Sequence, residues 1–166
     1  SHIIPNMGTP AGPQLEFVAS IKKEFKLPVF HAARINDVAT TRYALSENML
    51  DMVGMTRAHM ADPYIVSKII SGKEERIRHC VGIGYCLDRL YENGDALCAQ
   101  NPATGREKKI PHLITKGSGK SKKIIVIGAG PAGLEASRVC AERGHEVILL
   151  EANDRVGGQI ILAAKV

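Results

Sequence analysis

Tryptophan is absent from this sequence, and the four tyrosines and three phenylalanines make up only 4% of it. A hydrophobic core must therefore consist mainly of aliphatic side chains. No apolar run approaches the roughly 20 residues that a membrane-spanning helix needs. The first residues also lack the basic and apolar regions of a secretion signal. We therefore expect a cytoplasmic protein that does not enter a membrane.

Cysteine is scarce, with four unevenly spaced residues in a chain without a secretion signal. This usage favours a metal site over disulfides. Apolar residues make up 45% and charged residues 23%, as in an ordinary globular protein. The net charge is +5, but lysines concentrate in and just before a Gly/Ser-containing stretch, which indicates a solvated spacer and no nucleic-acid site. These lysines are Lys108, Lys109, Lys116, Lys120, Lys122 and Lys123.

Strand and helix patterns alternate between residues 13 and 72. Apolar spacing predicts an amphipathic helix over Pro13–Phe25, and Leu27–Ala33 is predicted to form a buried strand containing a hydrogen-bonded core histidine, His31. Asp37 is predicted to cap the next helix. The residues expected to share the buried face of that helix are Val38, Leu45 and Met49.

A second short buried strand is predicted over Met52–Met55. Asp62 followed by Pro63 predicts the start of a third helix, with Asp62 as its N-cap. Val66, Ile69 and Ile70 are expected to be buried on it. The chain begins without methionine and stops within an unfinished pattern, so we interpret it as a fragment.

Parallel strands joined by crossover helices fit this alternation and predict an α/β fold. Two strands cannot enclose a sheet interior, so the rest of a (β/α)8 barrel is expected before residue 1. Phosphate often binds such barrels at the carboxyl ends of the last two strands. The corresponding loops contain Ala33-Arg34 and Gly54-Met55-Thr56-Arg57. Paired arginines favour a phosphate site, the alternative being two surface ion-pair partners.

A dinucleotide-binding turn is predicted after residue 123. The β-branched strand Lys123–Ile127 leads into a GxGxxG motif, a helix over Ala132–Arg143 and a second strand, Glu146–Leu150. The motif residues are Gly128, Gly130, Pro131, Ala132 and Gly133. Glu151, about 20 residues on, is expected to accept hydrogen bonds from ribose hydroxyls. Cys140 is expected to be a core thiol of this helix.

The combination of Leu27–Arg34, Met52–Pro63, the cysteine segment and Asn101–Glu107 resembles the multidomain iron–sulfur flavoenzymes of the old yellow enzyme superfamily. That group includes trimethylamine and histamine dehydrogenases, 2,4-dienoyl-CoA reductase and N-methylproline demethylase-like proteins. The resemblance implies three segments. Residues 1–77 would end an FMN-binding (β/α)8 barrel, residues 78–115 would carry an iron–sulfur cluster, and residues 116–166 would begin a Rossmann-like domain for FAD or ADP.

The same resemblance implies that Cys80, Cys86 and Cys98 are cluster ligands, because iron–sulfur clusters need thiolate donors. The family places a fourth cysteine where this chain has Ile83. A 4Fe–4S cluster with a foreign ligand such as His79, a 3Fe–4S cluster, and no cluster all stay open. A zinc site that adds His79 or His112 to the three cysteines is the alternative of another class. Three buried thiols without any metal are the simplest alternative.

The stretch Asn153–Gln159 resembles the segment that follows the acid in FAD-binding flavoproteins, which adds Gly158 and Gln159 to the cofactor site. The implied activity is oxidation of a small methylated amine, with electrons passing from FMN to a second flavin or to an electron-transfer protein. NAD(P)H-driven alkene reduction and a non-catalytic piece with a zinc site are the alternatives. No catalytic residue is assigned, and the parent protein is expected to form a homo-oligomer.

Overall fold

The computed structural model describes residues 4–164; residues 1–3 and 165–166, the outer ends of the first and third predicted segments, lie outside the described residues. The chain divides into two compact units, one ending at His112 and the other beginning at Leu113. The elements of the first unit are α1 (Leu15–Glu24), β1 (Phe30–Ala32), α2 (Val38–Ser46), β2 (Met52–Gly54), α3 (Thr56–Ala61), α4 (Ile65–Ile70), a 3-10 turn (Glu74–Arg76) and α5 (Tyr85–Tyr91). Those of the second unit are β3 (Lys123–Ile127), α6 (Pro131–Glu142), β4 (Glu146–Leu150) and α7 (Ile160–Ala163).

The first unit is organised around a parallel pair of strands in which Phe30 lies opposite Met52 and Ala32 opposite Gly54. One face of this pair packs, through Val29 and Val53, against the helices. The buried cluster on that side consists of Leu15, Val18, Ile35, Ala44, Met49 and Leu50. Because the strands are parallel and adjacent, their carboxyl-end loops lie at the same edge.

The N-cap predicted at Asp37 is confirmed. Its carboxylate accepts hydrogen bonds from the backbone N–H of Thr40 at 2.7 Å and from the Thr40 hydroxyl at 2.8 Å. These bonds satisfy one of the backbone donors that begin α2. The predicted buried face is only partly correct, since Val38 and Met49 are buried whereas Leu45 is 43% exposed.

The prediction of a buried strand over Leu27–Ala33 is wrong in length and in burial. The strand covers Phe30–Ala32, and Phe30 is 63% exposed. Successive strand residues point to opposite faces, and only the face of Val29 and Val53 meets the helices. Within the described residues, the buried Nε2 of His31 has no hydrogen-bond partner, so the expectation of a hydrogen-bonded core histidine is also wrong.

The segment after β2 also differs from its prediction. Thr56 and Arg57 were expected in a loop, but they begin the short helix α3. The next helix starts at Ile65 and is preceded by Tyr64 as N-cap, so the predicted cap at Asp62 is wrong. Burial on this helix centres on Ile65, whereas the predicted core residues Val66 and Ile70 are 52% and 82% exposed.

The second unit follows its prediction closely. Strands β3 and β4 have the predicted bounds and pair in parallel from Lys123 opposite Glu146 to Ile127 opposite Leu150. Helix α6 covers one face of the pair, where alternate strand residues are half-buried, while Ile127 on the other face is 84% exposed. None of the helices between residues 4 and 164 combines the length and apolar composition needed to span a bilayer.

Candidate cofactor and cysteine sites

The residues predicted to hold FMN phosphate meet at one edge of the β1–β2 pair. Ala33 and Arg34 follow β1, and Gly54 ends β2. Met55 is the N-cap of α3, and Thr56 and Arg57 are its first two residues. A Cβ atom at Gly54 would lie 2.8 Å from the Cβ of Ala32, so close strand packing requires a glycine here. The structure therefore brings the two predicted loops together.

Arg34 has a left-handed backbone, with φ of 51°, which is uncommon for a residue other than glycine. Its Nε donates to the carbonyl oxygen of Thr9, and its Nη2 donates to that of Met7 at 3.2 Å. The guanidinium therefore holds the segment before α1 against the end of β1. These contacts of Arg34 are made to backbone carbonyl oxygens, and neither is the surface ion pair that was the alternative to a phosphate site.

Arg57 performs a similar role from the neighbouring loop. Its Nη1 donates to the carbonyl oxygen of Pro5 at 2.8 Å. A guanidinium carries five N–H donors, so this one bond leaves capacity for a further anionic partner. The positive charge of Arg57 also acts to lower the pKa of the Cys86 thiol.

The loop from Cys80 to Cys86 bends through two glycines with left-handed backbones, Gly82 at φ 75° and Gly84 at φ 86°. Gly82 is buried, and its carbonyl oxygen accepts a hydrogen bond from the N–H of Met7 at 3.0 Å. A Cβ atom at Gly82 would overlap Nη1 of Arg34. The cysteine loop therefore packs directly on the arginine that follows β1.

The three predicted ligand cysteines are half-buried free thiols. Burial raises the pKa of the Cys86 thiol, and the charges of Cys80 and Cys98 raise it further, while Arg57 opposes them. Ile83, at the family's fourth ligand position, is 50% exposed and has no donor atom. The described residues contain no group of three His, Cys, Asp or Glu side chains arranged to hold a single metal ion.

His112 is one of the two candidate fourth ligands of the alternative zinc site, and its ring contacts Asn101 and Glu107. Its Nδ1 is 3.1 Å from Nδ2 of Asn101, and its Nε2 is 3.5 Å from the carboxylate of Glu107. It also lines an open cavity of about 540 Å³ with Met55, His59 and Thr104 among other residues. Both ring nitrogens are therefore occupied by groups other than the cysteines.

Sequence reasoning missed the polar residues that anchor the cysteine segment. Buried Asn101 and Thr104 both donate to the carbonyl oxygen of Met60, at 3.1 and 2.6 Å, and so fasten the region after Cys98 to the last turn of α3. Asn36 donates to the carbonyl oxygen of Cys80. The only sequence signal was the Asn101–Glu107 motif, and it carried no information about partners 40 or more residues away.

The dinucleotide turn has the close packing that its glycines predict. Gly128 has a φ of 94°, and a Cβ atom at Gly133 would overlap the carbonyl oxygen of Gly128. A Cβ atom at Gly130 would meet nothing within 4 Å. The surface beside Gly130 is therefore open to a ligand, whereas Gly133 is required for the packing of α6 against the turn. Pro131 and Ala132 form the first turn of that helix.

Glu151 stands directly after β4 and reaches back to the turn. Its Oε2 accepts a hydrogen bond from the N–H of Ala129 at 2.7 Å, and its Oε1 accepts from the N–H and Nδ2 of Asn153, both at 2.9 Å. The N–H groups of Asn153 and Ala129 lower the pKa of Glu151 to about 2. The side chain is therefore a carboxylate at neutral pH, as ribose recognition requires.

The predicted Gly158-Gln159 pair lies beside the same turn. Gly157 donates its N–H to the carbonyl oxygen of Ala129 at 2.7 Å, and a Cβ atom at Gly158 would lie 3.2 Å from the Cα of Gly130. Gln159 is the N-cap of α7. Cys140, expected in the core, is half-buried on α6.

Comparison with known proteins identifies relatives of both units. A family described as NAD(P)-binding Rossmann-like domain matches residues 126–161. The probable N-methylproline demethylase of Rhizobium meliloti (strain 1021) is 54% identical, over 98% of this chain and 24% of the relative. The multifunctional alkene reductase/demethylase OYE of Caballeronia cordobensis is 51% identical, over 97% of this chain and 23% of the relative.

Among solved structures, histamine dehydrogenase from Rhizobium sp. 4-9 matches with a TM-score of 0.87 and 31% identity, covering 95% of this chain and 23% of that one. The chain thus spans about a quarter of the length of the proteins it matches. The resemblance to multidomain flavoenzymes of the old yellow enzyme superfamily is confirmed, as is the α/β fold class with a Rossmann-like second part. The relatives are oxidoreductases by name.

Proposed function

We propose that this chain, a relative of multidomain flavoenzymes, supplies parts of three cofactor sites in a longer oxidoreductase that oxidises a small N-methylated amine. The observation that carries the proposal is the packing of the cysteine loop on the loop that follows β1. A Cβ atom at Gly82 would overlap Nη1 of Arg34, and Nδ2 of Asn36 donates to the carbonyl oxygen of Cys80. A redox centre in the cysteine segment would therefore lie next to the expected phosphate site of a flavin.

The FMN site would be formed by the two loops at the carboxyl ends of β1 and β2. Gly54 allows the strands to approach closely there. Arg57, with donors left after its bond to Pro5, would neutralise the phosphate by charge-assisted hydrogen bonds. Arg34 would hold the loop, since it already bonds two backbone carbonyl groups. The remaining assigned contacts are Ala33, Met55 and Thr56.

The cysteine segment fits an iron–sulfur cluster in its donor chemistry, because Cys80, Cys86 and Cys98 supply three soft thiolates. Ile83 supplies none, so the chain provides three of four ligands. This set suits a 3Fe–4S cluster, or a 4Fe–4S cluster that takes its fourth ligand elsewhere. The raised pKa of Cys86 describes the thiol alone, and bound iron would favour the thiolate.

The second unit would bind FAD or ADP at the glycine turn. Gly130 leaves space for a pyrophosphate, and the N-terminus of the twelve-residue helix α6 directs its dipole toward it. Glu151 would accept bonds from the ribose hydroxyls, and its charge would disfavour a 2′-phosphate. Gly158 and Gln159 would complete the site. The match to NAD(P)-binding domains keeps NAD(P)H as a further candidate ligand.

When bound, the flavins and the cluster supply two-electron and one-electron redox chemistry. The same proposal includes the division into segments 1–77, 78–115 and 116–166. It also includes a homo-oligomeric parent, a cytoplasmic location and an electron-transfer partner. Reduction of activated alkenes is a second candidate. It is favoured by the relative whose name joins alkene reductase and demethylase.

The proposal is tested on the full-length parent, purified without air, by measuring FMN, FAD, iron and acid-labile sulfide per chain. We expect both flavins, iron with sulfide, and oxidation of N-methylproline in preference to NADH- or NADPH-driven reduction of 2-cyclohexenone. The reverse preference would select the second candidate. Ile83→Cys should raise iron per chain and stabilise a 4Fe–4S spectrum, because it restores the fourth thiolate.

Cys140→Ser is the matched control, since Cys140 lies on α6 of the other unit, and it should leave the iron content unchanged. One zinc per chain without acid-labile sulfide would show that the cysteines hold a structural zinc ion instead of a cluster. If the protein retains FMN but contains neither iron nor zinc, the cysteines are packing residues and hold no metal.

A further inference from the structure

A side-chain amide from the loop after β1 holds the cysteine loop. Nδ2 of Asn36, a half-buried residue four positions after β1, donates to the carbonyl oxygen of Cys80 at 2.5 Å. The two residues are 44 positions apart in the chain. Asn36 is not among the residues predicted to bind a cofactor or a metal.

The loop needs such an anchor because helix and strand bonds do not define its path. Residues 77–84 form no regular element, and Gly82 and Gly84 have left-handed backbones. Glycine at these positions lets the chain turn, but it also leaves the unliganded loop many conformations. A hydrogen bond to the Cys80 carbonyl restricts the peptide plane that follows Cys80, and with it the direction of the Cys80 side chain.

Other hydrogen bonds hold residues that are close to the cysteines in the chain. Met7 bonds Gly82 at 3.0 Å. Nη1 of Arg78 donates to the carbonyl oxygen of Gln100 at 2.5 Å, which joins the residues just before Cys80 to those just after Cys98. The bond from Asn36, in contrast, is made to the backbone of Cys80 itself.

We infer that Asn36 is a positioning residue for the cysteine site, setting the orientation of Cys80 toward Cys86 and Cys98. The inference rests on the proposed function in assigning iron to these cysteines. Because the Cys80 carbonyl oxygen is an acceptor, residue 36 must supply a hydrogen-bond donor. Aspartate has the same shape but, when ionised, only accepts hydrogen bonds, so it would repel the Cys80 carbonyl. Loss of a partner that orients metal ligands typically costs about 10- to 100-fold in metal affinity.

The test uses the full-length parent with Asn36→Leu, Asn36→Asp and Asn36→Gln. The first two should release iron to a ferrous chelator at least about tenfold faster than the unsubstituted protein, at the low end of the effect of orienting partners. They should also alter the electron paramagnetic resonance spectrum of the cluster. Asn36→Gln keeps an amide donor and should restore part of the retention. Asn93→Asp makes the same charge change as Asn36→Asp at an exposed asparagine of the cysteine segment and should have no effect.

A second measurement separates positioning from folding and from the presence of iron. In metal-free protein, alkylation of Cys80, followed by peptide mapping, should accelerate in Asn36→Leu, while Cys98, a half-buried thiol of the same unit, reacts as before. Unchanged iron release, spectrum and Cys80 alkylation would overturn the inference. Equal acceleration at Cys80 and Cys98 would also overturn it, because that result indicates unfolding of the first unit. If the unsubstituted protein binds no iron, the cluster proposal fails, and the alkylation rates alone decide the role of Asn36.

Discussion

The carboxylate of Asp62 joins three parts of the first unit, and its removal should be costly. Its side chain is 4% exposed. Oδ1 accepts a hydrogen bond from the N–H of Tyr64 at 3.1 Å, and Oδ2 accepts from the N–H of Arg78 at 2.9 Å and from the Lys68 ammonium. The bond to Arg78 fastens the chain two residues before Cys80 to the turn between α3 and α4.

Asp62→Ala leaves the N–H groups of Tyr64 and Arg78 without this acceptor and removes the partner of Lys68. Breaking a buried ion pair costs about 3–5 kcal/mol. Lys68 is 26% exposed and keeps the carbonyl oxygen of Arg76 at 2.7 Å, so part of its charge can be solvated. We therefore expect a loss near the lower limit, about 3 kcal/mol in the free energy of unfolding of this domain.

Urea denaturation of the full-length parent at neutral pH measures this loss, with the exposed Asp95→Ala as the matched control. Asp62→Asn keeps one acceptor oxygen and should lose about 2 kcal/mol, since a bond to a charged group is worth about 1.5–3 kcal/mol.

Burial acts to raise the pKa of Asp62, but the bonds from Lys68, Arg78 and Tyr64 outweigh it and lower the pKa. The stabilisation is therefore present above the unfolded-state pKa of about 3.9 and is lost as the pH falls below it. A loss for Asp62→Ala within about 0.5 kcal/mol of the control, the usual range for surface substitutions, would refute this account.

Two further predictions concern the dinucleotide turn. Gly133→Ala should destabilise the second unit by about 1–3 kcal/mol in urea denaturation, because its Cβ would overlap the carbonyl oxygen of Gly128; Gly130→Ala, whose Cβ meets only open space, should preserve stability but weaken FAD binding in titrations. Equal stability losses would contradict this contrast. The Glu151 carboxyl should titrate by nuclear magnetic resonance near pH 2, so its bonds stabilise the turn above its ordinary pKa of 4.5 and are lost as the pH falls toward 2. A midpoint near pH 4.5 would show that the bonds to Ala129 and Asn153 do not persist in solution.

Local patterns predicted the second unit well because its structure depends on local signals. A continuous β-branched run ends at a glycine turn, and both strands have their predicted bounds. The cap at Asp37 is also local, since its partner is three residues away. Where the stabilising partner is near in the chain, residue type and spacing were sufficient to predict the structure.

Prediction failed where distant residues compete for a side chain. Asp62 before Pro63 has the pattern of a helix cap and its Oδ1 accepts from the nearby N–H of Tyr64, but its Oδ2 binds the N–H of Arg78, sixteen positions later, which no local pattern indicates. Burial of Phe30 was predicted from its neighbours in the chain, but burial depends on what covers each face of the strand pair. The roles of Arg34, Asn36 and Asn101 rest on partners 25 to 44 positions away, and no local pattern indicates them.

The two arginines that suggested a phosphate site also explain how the strand-end loops and the cysteine loop are linked. Arg34 bonds the carbonyl oxygens of Met7 and Thr9, Arg57 bonds that of Pro5, and the N–H of Met7 bonds Gly82. The segment from Pro5 to Thr9 therefore contacts both arginines and the cysteine loop. A change in either loop alters the same short segment, so binding at the proposed flavin site and order at the cysteines should depend on each other. This shared anchoring gives a physical reason for one chain to carry both proposed sites.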